Sequence, residues 1–223
     1  MASSKIKLYY WPMLARGAPH LRMLEHCKAE YEYFSSPQEF ASVMTRFGSK
    51  NSNCFAPPVV VDGDYVVSQS TASCLYLGNK LGLNAQPKFD ACKAMQFMLD
   101  IVDTFEANLG KNNEDGAKLK AFLSGDRFAM LMSNLENAII GPFYFGDSPS
   151  SVDFFLAAHL DWRNSNVFGP LKEKYGEEHL AAYPKVASVY ESLSSTDAWK
   201  SFSGVAKPMG AIKEEVLEGY GKL

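Results

Sequence analysis

Residues 55–82, FAPPVVVDGDYVVSQSTASCLYLGNKLG, decide how this chain is read. Pro57 and Pro58 stand where an extended run begins. Proline is the one residue for which a cis peptide costs little, so a cis bond is expected at this pair. Val59-Val60-Val61 and Tyr65-Val66-Val67 flank Asp62-Gly63, a strong short-range signal for a β-hairpin. The second strand runs into Ser68-Gln69-Ser70-Thr71. After it Ala72, Leu75, Tyr76 and Leu77 fall at helical spacing, with Gly78 or Gly82 as the stop. A strand that turns directly into a helix leaves several N–H groups of the first helical turn unpaired. With the polar side chains of Gln69 and Ser70 beside them, those groups make a seat for a carboxylate.

Upstream, Ile6, Leu8 and Tyr10 alternate with Lys7, Tyr9 and Trp11, which places Tyr10 on the apolar face of a first strand, at its end. Trp11 to Gly17 reads as a loop and Pro19 to Lys28 as the first helix, with Leu21, Met23 and Leu24 on its inner side. Ser36 to Phe47 has helical character, and the polar loop 48–53 contains Lys50. Asn84-Ala85-Gln86-Pro87 breaks the pattern and marks a linker at 84–88 between an α/β part, 1–83, and an all-helical part, 89–223. In the second part Phe89 to Leu109 carries Met95, Met98, Leu99, Val102 and Phe105 on a 3-4 repeat. Lys118 to Ile140 reads as another helix, stopped by Gly141-Pro142. Ser150 with Asp153 three residues on is a capping box with Asp in place of Glu, opening a helix over FFLAAHLDW. Tyr183 to Leu193 and Thr196 to Phe202 read as short closing helices. Val205 to Leu223 takes no assignment and is a candidate cover for the site.

Composition narrows the function by exclusion. A hydrophobic content of 47% with 21% charged residues is that of a globular protein, and 223 residues hold two modest cores. The net charge of −3 offers no basic footprint for nucleic acid. No apolar run approaches the roughly 20 residues that cross a bilayer, and the MASSKIK start lacks a secretory apolar core, so the expectation is a cytoplasmic protein. Cys27, Cys54, Cys74 and Cys92 form no CxxC pair or zinc-type cluster. Cys27 and Cys74 read as core residues, while Cys54 has a minority claim to reactivity. His20, His26, His159 and His179 show no metal-ligand spacing, and no metal is expected.

The segment 57–70 resembles the glutathione-binding half of the glutathione transferases: a cis-proline, a hairpin turning at Asp-Gly, then a Gln-Ser pair opening a helix. Counted from Pro58, the spacing is that of the mu- and pi-like classes. With Pro57 as the cis residue the turn is sigma-like, but the Gln-Ser pair falls one residue late. The start, YYWPMLARG, resembles tyrosine-type members of the family, and most of all a glutathione-transferase-like group that pairs YYWP with FAPP. Ser150 and Asp153 match the family's cap on a buried helix of its second domain.

This resemblance implies a thioredoxin-like domain followed by a helical bundle, with glutathione as co-substrate and Tyr10 as the group that touches its thiol sulfur. It implies ligand contacts from Trp11, Arg16, Lys50, Pro57, Pro58, Gln69 and Ser70. It also implies a homodimer in which Asp103 reaches glutathione across the interface, and a small apolar electrophile as second substrate. Several positions stay open. Tyr9 competes with Tyr10, although strand alternation selects Tyr10; Trp11 is equally explained by core packing; Arg16 either meets a carboxylate or fixes its loop, the second being favoured; and the counterpart of Asp103 falls at Thr104 in one register. If Pro58 is cis, Pro57 holds a place that normally donates an N–H to the ligand, and proline has none. The resemblance also covers non-catalytic relatives and glutathione-dependent isomerases or peroxidases.

Overall fold

A computed structural model describes residues 5–200 and 204–222, so the closing positions Ser201 and Phe202 of the expected Thr196 to Phe202 helix lie outside the described residues. Its first part runs β1 Ile6–Tyr9, β2 Met13–Leu14, α1 Ala18–His26, β3 Tyr31–Phe34, α2 Pro37–Phe40, β4 Val59–Asp62, β5 Tyr65–Ser68 and α3 Ser70–Lys80. The four-stranded sheet has the order β3-β1-β4-β5. β1 and β3 are parallel and joined through α1, whereas β4 is antiparallel to both β1 and β5. This is the thioredoxin-like arrangement that the sequence led us to expect.

Period-2 alternation divides the sheet residues between two cores. Ile6, Leu8 and Val60 face α1 and α3 and join the main core. Tyr9 and Val59 point to the opposite face, where they pack with Phe40, Met44 and Cys54. The hairpin pairs Asp62 with Tyr65, so its two turn residues are Gly63 and Asp64, one position later than the Asp62-Gly63 reading. Gly63 sits at φ 60°, the conformation such a turn demands of its first central residue. Asp62 then accepts hydrogen bonds from Tyr76 Oη (2.8 Å) and Lys80 Nζ (2.7 Å), which tie the hairpin to α3.

The second part is helical: α4 Ala91–Val102, α5 Leu109–Asn112, α6 Gly116–Leu123, α7 Asp126–Ala138, α8 Ser151–Arg163, α9 Gly169–Tyr175, α10 Pro184–Ser194, α11 Asp197–Lys200 and α12 Glu214–Gly221, with a two-residue strand β6 Lys207–Pro208 before the last. α8 is its axis, buried along nearly its whole length and in contact with α1, α3, α4 and α10. The expected cap is present: Asp153 Oδ2 accepts from Ser150 N–H (2.7 Å) and Ser150 Oγ (2.7 Å), and Oδ1 accepts from Tyr144 N–H (2.9 Å). No helix of the described residues is long and apolar enough to cross a membrane.

The structure sharpens or corrects several expectations. Of the two stops expected for α3, the second holds: the helix runs through Gly78, which packs against Ser151, and ends before Gly82 at φ 75°. The reading of one helix over Lys118 to Ile140 fails at Ser124-Gly125, where α6 ends and α7 begins. The Phe89 to Leu109 helix widens into a π-helical stretch at Asp103–Asn108. There the carbonyls of Asp100, Asp103 and Phe105 accept side-chain donors from Thr104, Asn108 and Arg163, respectively. The buried stripe is Ala94, Met98, Ile101, Phe105 and Leu109, and Leu99 is 49% exposed. Of the cysteines, Cys74 is core as expected and Cys54 is buried, so the minority claim to reactivity gains no support. Cys27, expected in the core, is only half-buried past the end of α1.

Candidate active site

Strand register assembles the site. Phe34, Tyr9, Val59 and Ser68 form one row across β3, β1, β4 and β5. One residue beyond that row, at the same edge of the sheet, lie Tyr10, Pro58 and Gln69. The peptide bond between Pro57 and Pro58 is cis, which settles the choice between the two prolines. With neighbouring strands about 4.8 Å apart, the backbones of Tyr10 and Gln69 stand about 10 Å apart across the edge.

Tyr10 follows the last residue of β1, held by its N–H to Phe34 O (3.0 Å). Its ring is enclosed, 4% exposed, and lies so close to Gly17 that a Cβ there would sit 2.4 Å from ring carbons. The hydroxyl oxygen accepts the Arg16 N–H at 2.9 Å, which leaves its own proton free to be donated. Burial pushes the phenol up to about 12, only partly offset by the Arg16 amide and charge, so the hydroxyl keeps that proton at neutral pH. Tyr9 serves packing: it stacks on Phe34 with centroids 4.6 Å apart. Trp11 sits edge-on to Phe40 and Phe47, and its carbonyl accepts the Tyr33 hydroxyl (2.6 Å).

At the other end of the edge, Ser70 is the first residue of α3, and Gln69 before it uses no side-chain atom to cap the helix. Gln69 is exposed and stands at φ 73°, ψ 127°. The first-turn amides therefore have no side-chain cap from Gln69.

Arg16 is a loop charge, its side chain 56% exposed, with a buried partner. Its guanidinium pairs with Glu106, whose side chain is only 7% exposed and whose Oε1 also lies 3.0 Å from His159 Nε2. His159 Nδ1 meets Phe155 O at 2.8 Å, so both ring nitrogens face oxygen acceptors. Burial alone would raise the Glu106 carboxyl, but the hydrogen bonds and charges of His159 and Arg16 outweigh it and hold the group below the usual range. The sequence reading missed Glu106 and His159. The available signal was the place of Glu106 between Val102 and Leu109 at helical spacing, an acid on a buried stripe. Lys50 and Asp103 are both exposed, and neither side chain bonds to the Tyr10–Gln69 edge among the described residues. Thr104, the alternative to Asp103, is buried and donates to Asp100 O (2.8 Å).

The C-terminal tail passes beside the site. β6 pairs in parallel with β2, Met13 opposite Lys207, and Lys207 N–H donates to Pro12 O (3.2 Å). Farther on, Ile212 N–H reaches Asn166 O (2.8 Å) and Asn166 Nδ2 reaches Gly210 O (2.6 Å). No group of three or more His, Cys, Asp or Glu suited to a metal occurs among the described residues.

This architecture has solved counterparts. The fold is that of glutathione transferase structures. A pi-class glutathione S-transferase from Onchocerca volvulus superposes with a TM-score of 0.68 at 16% identity, over 89% of this chain and 92% of that one. Glutathione transferase Omega 3C from Trametes versicolor gives 0.68 at 16% identity, over 95% and 93%. A glutathione transferase family member from Pseudomonas fluorescens with two glutathione bound gives 0.65 at 20% identity, over 90% and 92%. The sequence matches no protein-family model and no curated protein. Pi- and omega-named structures fit equally well, so the fold does not select a class.

Proposed function

We propose that this protein is a tyrosine-type glutathione transferase. The observation that carries the reading is the register that sets Tyr10, Pro58 and Gln69-Ser70 along one sheet edge. An extended tripeptide spans about 10 Å, the separation of Tyr10 from Gln69. Glutathione then lies along the edge with its glutamyl carboxylate on the open first turn of α3, which favours an anion, and its sulfur at the Tyr10 hydroxyl. A phenol that remains protonated and has its acceptor side filled by Arg16 N–H donates to the thiolate. A free thiol has a pKa near 8.5, and each unit of lowering stabilises the thiolate selectively by about 1.4 kcal/mol. The anion then attacks an electrophilic carbon of a small apolar substrate, the C–S bond forming as the leaving group departs.

Trp11 flanks the edge, and Arg16, committed to Glu106, holds the Tyr10 loop. Pro57 carries no N–H, so one ligand hydrogen bond worth about 0.5–1.5 kcal/mol is missing and affinity is correspondingly lower. Asp103 and Lys50 act, in this reading, only through a homodimer or a bound ligand. A strictly monomeric mass by light scattering removes Asp103 from the site. Retention on immobilised glutathione followed by conjugation of a generic aryl halide tests the function. Gln69→Ala with Ser70→Ala is expected to weaken glutathione binding sharply with the fold intact, and unchanged calorimetric affinity rejects the carboxylate seat. Retention without conjugation identifies a non-catalytic binding protein instead.

A further inference from the structure

The carbonyl of Gln69 receives two donors from one residue: Ser73 N–H at 2.9 Å and Ser73 Oγ–H at 2.7 Å. With its proton spent there, Ser73 Oγ is left as an acceptor, and His20 Nε2 lies 2.8 Å from it. Read in that direction, the chain puts the proton on Nε2 of a neutral ring and leaves the buried Nδ1, on the Gly17 side, without a hydrogen-bond partner. Burial, which pushes the imidazole down to about 3, agrees. Both side chains are fully buried, His20 on α1 and Ser73 on α3, and the function proposed above uses neither. A serine bonding back to the carbonyl four residues earlier is ordinary within a helix. A buried imidazole committed to that serine is not, and the carbonyl they share belongs to a residue under strain. Gln69 is one of two non-glycine residues with positive φ among those described, a conformation that persists where surrounding contacts over-determine it.

We propose that His20 and Ser73 are positioning residues for the carboxylate seat. The relay from His20 Nε2–H to Ser73 Oγ–H to Gln69 C=O locks the Gln69 peptide, and so aims the Ser70 N–H and the Gln69 side chain at the ligand. The inference rests on the glutathione reading. It also joins the two ends of the site, because α1 carries the imidazole that holds Gln69 and begins just after Gly17, which lies against the Tyr10 ring.

The test separates binding from chemistry. Ser73→Ala removes the hydroxyl from the relay. The Kd and KM for glutathione are expected to rise about tenfold, the scale of one lost hydrogen bond. Turnover at saturating glutathione should stay within about twofold, and the pKa of the bound thiol should not move, since Tyr10 is untouched. Ser73→Thr keeps the hydroxyl and should restore wild-type affinity. If the alanine variant does not fold, Ser73→Cys, with similar volume and only a weak donor, carries the same comparison. Wild-type affinity in Ser73→Ala or Ser73→Cys overturns the relay. So does a variant in which KM, turnover and bound-thiol pKa all shift with thermal stability and threonine restores none of them. A wild-type chain that does not bind glutathione is a different failure, seen before any variant is made; it refutes the proposed function and takes the relay's purpose with it.

Discussion

Tyr10→Phe deletes one oxygen atom with two separable duties. The first, in the proposed function, is toward the ligand: the hydroxyl, held protonated by burial, would donate to the glutathione sulfur. A hydrogen bond to a charged partner contributes about 1.5–3 kcal/mol, which is one to two pKa units on the bound thiol. Conjugation near neutral pH should fall about ten- to a hundredfold, with the affinity for glutathione far less affected. The second duty is internal. The same oxygen accepts the Arg16 N–H at 2.9 Å, and phenylalanine leaves that part-buried donor without its partner. Stability should fall by about 1–2 kcal/mol, or a few degrees in Tm for a chain of this length. The assay is turnover of a generic aryl halide from pH 5.5 to 9, with thiolate absorbance of the binary complex and a melting curve beside it. If the pH profile stays wild-type, the hydroxyl does not touch the sulfur. If Tyr9→Phe loses activity and Tyr10→Phe does not, the strand-end assignment is wrong by one residue, against the stacking of Tyr9 on Phe34.

Gly17→Ala places a methyl 2.4 Å from the Tyr10 ring carbons, so the ring must shift. Conjugation should fall about tenfold or more and stability by roughly 1–3 kcal/mol, and wild-type kcat/KM would contradict the close approach. Asp153→Ala strips the acceptor from two buried backbone donors, Ser150 N–H and Tyr144 N–H, and should cost about 2–4 kcal/mol in urea denaturation; a loss under about 1 kcal/mol would show that the cap is dispensable. His20 is held neutral, its pKa moved from 6.5 down to about 3. Between those values the unfolded chain binds a proton that the folded chain refuses. The stability linked to His20 is therefore complete above about pH 6.5 and declines as pH falls toward 3, by up to about 5 kcal/mol. Urea titrations at pH 7, 5.5 and 4.5 should show a shallower acid loss for His20→Gln than for wild type, and parallel slopes would refute the assignment.

Several features were legible because their physics is short-ranged. Proline geometry at 57–58, β-branching around a Gly-containing turn, the Gln-Ser junction and the Ser150 to Asp153 cap each depend on residues within three or four positions of one another. Alternation over residues 6–10 was enough to separate Tyr10, whose ring lies against Gly17, from Tyr9, which stacks on Phe34. Even here the turn fell one residue late, since Gly63 satisfies the same signal as either of the two central positions.

What the tertiary structure alone decided depends on partners far apart in sequence. Periodicity over 89–109 assumes a uniform helix, but the ladder widens at 103–108, where the carbonyls of Asp100, Asp103 and Phe105 accept side-chain donors from Thr104, Asn108 and Arg163. Glu106 is buried because Arg16, ninety positions upstream, and His159, 53 downstream, compensate its charge. His20 and Ser73, also 53 positions apart, meet only because α1 and α3 lie on one face of the sheet. Local pattern determined which segments became strands and helices. The burial of a charge or a neutral imidazole was decided by what the assembled fold set against it, because a low-dielectric interior admits such groups only with partners in place.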